Sequence, residues 1–151
     1  MKPLISRFWL LAILSVSSFS FAQQPAVSPI TSGDYLIHFS TFNSSFLTPE
    51  VASAYGLVRG ADRAIVNIAV TRVTPEDGIY GLPVQVTGVA RNLMQQQTQL
   101  QFIEIEEQNA IYYIAPFEFD DEEVLHFDID VILPGQSRPT SISFSKKLYE
   151  G

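Results

Sequence analysis

The chain has 151 residues, 16 acidic against nine basic side chains for a net charge of −7, and no cysteine. That charge repels nucleic acid and anionic lipid surfaces, so neither is an expected partner. With no disulfide to staple the fold, stability rests on apolar burial, for which a hydrophobic content of 46% with 11 phenylalanines and six tyrosines suffices.

The first 22 residues read as an address. Lys2 and Arg7 make a positive start, an apolar run diluted by serines extends from Phe8 to Phe21, and Ser20-Phe21-Ala22 places small residues at a cleavage site. The run is too short and too serine-rich for a spanning helix, which needs about 20 mostly apolar residues. The missing cysteine excludes a lipoprotein anchor. A cut after Ala22 removes Lys2 and Arg7, leaves 129 residues and takes the net charge to −9. The expected location is the periplasm, with no stable membrane anchor after cleavage. Residues 23–33, with Pro25 and Pro29, read as a flexible lead-in to one domain over 34–151, a length that suits a single core.

From Tyr35 the apolar pattern takes a period of two, the signature of strands. Tyr35, Ile37 and Phe39 fall on one face, and Leu36, His38 and Ser40 on the other. Further runs follow at Ala64–Val73, Leu82–Asn92, Thr98–Glu106, Ala110–Phe117, Glu123–Leu133 and Thr140–Tyr149, separated by turn-formers such as Pro134-Gly135. In Glu123–Leu133 the residues Leu125, Phe127, Ile129, Val131 and Leu133 share a face. Ile142, Phe144 and Leu148 answer them from the last run. Seven short antiparallel strands predict an all-β, two-sheet sandwich of immunoglobulin-like type. A hairpin symmetric about its loop pairs His126 with Lys147 and Asp128 with Ser145.

The connection from Asn43 to Arg63 breaks the pattern. Thr48-Pro49-Glu50 is a helix start, with a capping hydroxyl, proline at the first helical position and an acid at the positive end of the dipole. Gly56 is placed to end that helix, so a short helix is expected over Pro49–Tyr55. Long connections with their own structure often carry binding. Asn43, Ser44, Ser45, Tyr55, Arg59 and Arg63 are therefore the expected contact residues. A plainer reading makes this connection a plug at one open end of the sandwich, its polar side chains satisfying turn amides.

Signals for catalysis and metals are thin. There is no Gly-x-Ser-x-Gly, phosphate-cradling glycine loop, His-Glu-x-x-His or cysteine nucleophile. His38 and His126 are the two histidines, and a metal site wants imidazoles close together with further ligands. The Asp120–Glu123 run lacks the alternation and glycine of calcium loops and reads as an acidic turn. The expectation is a chain with no cofactor, no metal and no catalysis.

Three stretches carry a resemblance: Phe42-Asn43-Ser44-Ser45-Phe46-Leu47-Thr48-Pro49-Glu50-Val51-Ala52 with Ala54-Tyr55-Gly56, then Ile111-Tyr112-Tyr113-Ile114-Ala115, and Phe144-Ser145-Lys146-Lys147-Leu148-Tyr149. They resemble domain-of-unknown-function family 4426, small exported proteobacterial proteins, over nearly the whole mature chain. The resemblance implies export and a single domain, and supplies no reaction or ligand. The leading expectation is a non-catalytic domain that binds another periplasmic or envelope protein. A carrier or sensor of a small apolar molecule held between the sheets is the alternative, and an enzyme with a spatially assembled site stands third.

Overall fold

Residues 28–74 and 81–151 are described in the computed structural model; the expected leader and the first part of the expected lead-in lie outside them. The alternating runs become nine strands: β1 Ile30–Ser32, β2 Tyr35–Asn43, β3 Arg63–Arg72, β4 Gln85–Arg91, β5 Gln97–Leu100, β6 Ile103–Glu107, β7 Ala110–Glu118, β8 Val124–Ile132 and β9 Thr140–Lys147. One helix, α1, spans Pro49–Ala54. The strands form two antiparallel sheets, a five-stranded one in the order β1-β2-β3-β7-β6 and a four-stranded one in the order β5-β4-β8-β9.

Nine strands rather than seven have two local causes. Ile30–Ser32 lies inside the expected lead-in, yet it pairs with β2 across a turn at Gly33, whose φ of 58° favours glycine. The ordered domain thus begins upstream of Tyr35. The run Thr98–Glu106 is not one strand. It bends at Gln101-Phe102, so that β5 pairs with β4 in one sheet and β6 pairs with β7 in the other.

The inward rows meet between the sheets. Ile37, Val66, Ile68, Val70, Ala115 and Phe117 face Phe127, Ile129, Val131, Ile142 and Leu148. Phe127 is fully buried, stacked on Phe144 with centroids 4.9 Å apart and edge-on to Phe117 at 5.3 Å, while Phe39 meets Phe144 at 4.8 Å. Burying one such ring stabilises by about 1.5–3 kcal/mol, with each aromatic contact adding about 0.5–1.5 kcal/mol. These rings fill the middle of the interior, where the apolar-carrier reading needs space.

The β8–β9 register corrects the symmetric-loop expectation. His126 faces Ser145 and Asp128 faces Ser143, with Lys147 opposite Val124. Pro134-Gly135 makes the turn, closed by the Gln136 N–H donating to the Leu133 carbonyl at 3.0 Å, with Gly135 at φ 75°. The turn therefore sits at the front of the loop, and Ser137-Arg138-Pro139 falls entirely on the β9 side.

A second, smaller cluster lies on the outer face of the five-stranded sheet. Ala52 and Leu57 from the β2–β3 connection pack on Ile65 of β3, Ile105 of β6 and Ile114 of β7, with Phe42, Leu47 and Tyr55 against them. The connection is thus a cover for a sheet face. The plug reading had the helix and aromatics at the mouth of the sandwich.

Candidate functional site

The β2–β3 connection is fixed in place by its own polar residues. After Asn43 the chain makes a 3₁₀ turn over Ser44–Phe46. Ser44 is buried, and its hydroxyl accepts from the Gly60 N–H at 3.0 Å and donates to the Gly60 carbonyl at 3.3 Å, clamping the start of the connection to its end. Arg59 donates to the Ser45 carbonyl at 3.0 Å. The Thr48 hydroxyl caps α1 by accepting from Val51 N–H at 3.3 Å, with Pro49 and Glu50 in the first turn. Gly56 ends the helix at φ 65°. Asn43 reaches out of the connection and donates to the Tyr149 carbonyl at 2.8 Å, tying down the C-terminal tail. Arg63 pairs with Glu118 at 2.6 Å.

The six expected contact residues therefore divide. Asn43, Ser44, Ser45, Arg59 and Arg63 gather at one end of the sandwich, held by bonds to the protein itself. Tyr55 stands apart on the outer face of the five-stranded sheet, its hydroxyl on the Glu107 carboxylate of β6.

Three other segments reach the same end. In the β4–β5 hairpin, Asn92 Oδ1 accepts from the N–H groups of Met94 and Gln96, each at 3.0 Å, and Asn92 Nδ2 donates to Gln96 Oε1 at 2.7 Å. Gln95 takes φ 65° to close the tip. The β7–β8 turn is closed by the Glu123 N–H donating to the Asp120 carbonyl, while Glu123 Oε2 accepts from the Asp120 N–H at 2.9 Å. The tail docks beside it, with Leu148 N–H on the Glu123 carbonyl and Glu150 N–H on Asp121.

These rigid loops display large apolar side chains to solvent: Phe46 is 77% exposed, Met94 76%, Leu93 67%, Val58 60% and Tyr149 54%. Two open depressions run between them and meet at Thr98, Phe117 and Glu118. One, of about 270 Å³, lies under the hairpin tip; the other, of about 380 Å³, lies under Gly56, Leu57 and Val58. Leu93 and Met94 are absent from the sequence expectation, because the glutamines around them mark the segment as a polar loop. The available signal was two bulky apolar residues at a turn, where neither can reach a core.

The remaining expectations find definite places. His38 bonds Thr71 at 3.0 Å on the outer face of the five-stranded sheet, whereas His126 bonds Ser145 at 2.5 Å on the outer face of the other. Opposite faces of a sandwich cannot share an ion. Among the described residues no group of three or more His, Asp or Glu side chains is placed to hold a metal. The acidic turn directs its carboxylates to separate partners, Asp121 to the tail, Glu122 to Lys147 at 3.3 Å and Glu123 to its own turn. Ser145, His126 and Asp128 share a face without forming a relay, since Asp128 accepts from Ser143 at 2.7 Å and pairs with Arg91. Those partners hold its carboxyl below the ordinary range, the serine bond chiefly.

A family model described as domain of unknown function DUF4426 matches residues 30–151. The chain belongs to the DUF4426 family. A crystal structure of a DUF4426 protein from Pseudomonas aeruginosa PAO1 is 33% identical, over 82% of this chain and 95% of that one, with a TM-score of 0.72. The same sandwich, at 13% identity, is found in FetP of uropathogenic Escherichia coli strain F11, expressed in the periplasm (83% of this chain, 95% of that one, TM-score 0.57). A copper-bound variant of FetP matches similarly, at 13% identity, 83% and 91% coverage and a TM-score of 0.56. No curated protein matches. At 13% identity the FetP likeness extends this DUF4426 chain's fold to a wider group and says nothing of its ligand.

Proposed function

We propose that this DUF4426 protein is cut after Ala22, works in the periplasm, and acts without catalysis by binding another envelope protein through the loop end of its sandwich. The observation that carries the reading is the gathering of Phe46, Val58, Leu93, Met94 and Tyr149, all more than half exposed, on loops that are internally hydrogen-bonded. Exposed apolar groups on a preorganised frame bind with little ordering cost. The same end carries Asp62, Glu118 and the four acids of the β7–β8 turn, which outnumber Arg59, Arg63, Lys146 and Lys147. Its partner is accordingly a protein surface that is apolar at the centre and basic at the rim.

The leader is tested by fractionation and N-terminal sequencing of the exported product, which should begin at Gln23; full-length protein retained in the cytoplasm overturns that part. For the surface, a photo-crosslinking residue is placed at Leu93 or Val58, and at Ser143 on the opposite outer sheet face as the control. The loop-end positions should give one discrete envelope-protein adduct that a Met94→Ser change in the Leu93 probe weakens. Equal labelling from Ser143, or adducts solely between copies of this chain, refutes the reading.

A further inference from the structure

We infer a second binding site, a groove on the outer face of the five-stranded sheet that takes an arginine side chain from an extended protein segment added to β6. The floor is Ile65, Ile114 and Ile105 and one wall is α1 with Leu57, enclosing an open volume of about 190 Å³. That is well below the roughly 300 Å³ at which pockets for drug-sized ligands begin, and suits a single long side chain.

One charged group gives the groove a sign. Glu107 stands at the rim, held by the Tyr55 hydroxyl, which its carboxylate keeps protonated above the ordinary tyrosine range. Among the described residues no lysine, arginine or histidine lines the groove. An apolar stem ending in a cation with several N–H donors matches Glu107 at the β6 end of the groove, and a guanidinium can also stack on a tyrosine face; Tyr112 at the rim is partly exposed.

The route in is the sheet edge. Among the described residues β6 pairs with β7 on one side and has no strand on the other, and its residues Ile103-Glu104-Ile105-Glu106-Glu107 carry three acids and no base. A second copy of β6 is repelled there, whereas a basic extended segment is attracted. A strand added at the usual spacing of about 4.8 Å puts alternate side chains beside Ile105, from where an arginine stem lies over Ile105 into the β6 end of the groove, within reach of Glu107.

The test uses the mature protein and a capped heptapeptide alternating threonine and arginine, with the citrulline peptide, neutral and nearly the same shape, as control. Amide spectra should shift at Ile105, Glu107 and Tyr112 with the arginine peptide. The citrulline peptide and the variant Glu107→Gln should each weaken binding about tenfold or more, as loss of a charge-assisted bond does. Lys146→Gln, in the other sheet, should leave affinity unchanged. Shifts confined to β9, equal binding of both peptides, or no binding by the folded wild type overturns the inference. So does N-acetylarginine amide binding as tightly as the peptide, because the site would then serve a free cation rather than a strand.

Discussion

Ser44→Ala and Thr41→Val each delete one hydroxyl, three residues apart, and should move stability in opposite directions. Ser44 is 1% exposed and makes two bonds to the backbone of Gly60, one to its N–H and one to its carbonyl. Alanine leaves that N–H without its acceptor, which costs about 1–3 kcal/mol, while the longer bond to the carbonyl contributes little. The lost volume is one oxygen, so the cavity term is small and the sum is about 2 kcal/mol. Thr41 Oγ1 is buried with no partner, so valine, of the same shape, should gain about 0.5–1 kcal/mol by removing an unmet polar group. With a urea slope of about 1–3 kcal/mol per molar, the midpoint should fall by roughly 1 M for Ser44→Ala and rise by a few tenths for Thr41→Val, at unchanged slope. The single tryptophan, Trp9, lies in the expected leader, so unfolding of the mature chain is followed by circular dichroism or tyrosine fluorescence. Midpoints moving in the same direction, or an unmoved Ser44→Ala, refute the clamp.

Further outcomes follow from the same physical terms. The Tyr113 hydroxyl accepts from Val84 N–H at 2.9 Å and donates to Glu104 at 2.6 Å, joining the two sheets; Tyr113→Phe should cost about 1–3 kcal/mol in a urea melt. That phenol is pushed up to about 12, first by burial and then by the Glu104 bond. Because the folded protein favours the neutral form, its contribution is intact below the ordinary value of 10.0 and lost as pH rises through about 12. Absorbance titration should find, besides the raised phenol of Tyr55, a late phenol that disappears in Tyr113→Phe. At Gly81 an added Cβ lies 2.3 Å from the Ile111 backbone nitrogen, so Gly81→Ala must shift main chain and should lower the melting temperature by several degrees. Leu93→Ser with Met94→Ser should leave melting within about 0.5 kcal/mol of wild type, since neither side chain packs in the core, while abolishing the adduct formed by the probe at Val58.

Much of the fold was legible because burial imposes alternation. Leu125 to Leu133 and Ile142 to Leu148 face inward as their spacing requires, and Thr48-Pro49-Glu50 with Gly56 bounds the helix that forms. The crossing at Gln101-Phe102 was hidden because the pleat keeps its parity through it. Leu100 and Phe102 face the interior, whereas Ile103 and Ile105 belong to the opposite parity, and Ile105 is buried on the outer face. One alternation therefore runs through both strands, and nothing in it marks where the partner sheet changes. β1 was hidden for another reason: three residues are too few to show a period, and pairing with β2 fixes them instead. Of the site, the long connection was visible as an anomaly of length. The partnership of its end with the Leu93-Met94 tip depends on which strands adjoin, which no local pattern encodes.

The crossing at Gln101-Phe102 has a mechanical corollary. Along that flank the last strand of one sheet runs covalently into the last strand of the other. On the far flank β1 and β9 touch through two hydroxyls, Ser32 and Thr140, 3.3 Å apart. The sandwich is bound like a book, with a spine on one side and a loosely latched fore-edge on the other. Under heat or tension the pages part at Ser32 and Thr140, wetting Phe39 and Phe144 first, while the spine still holds β4 and β7 in register.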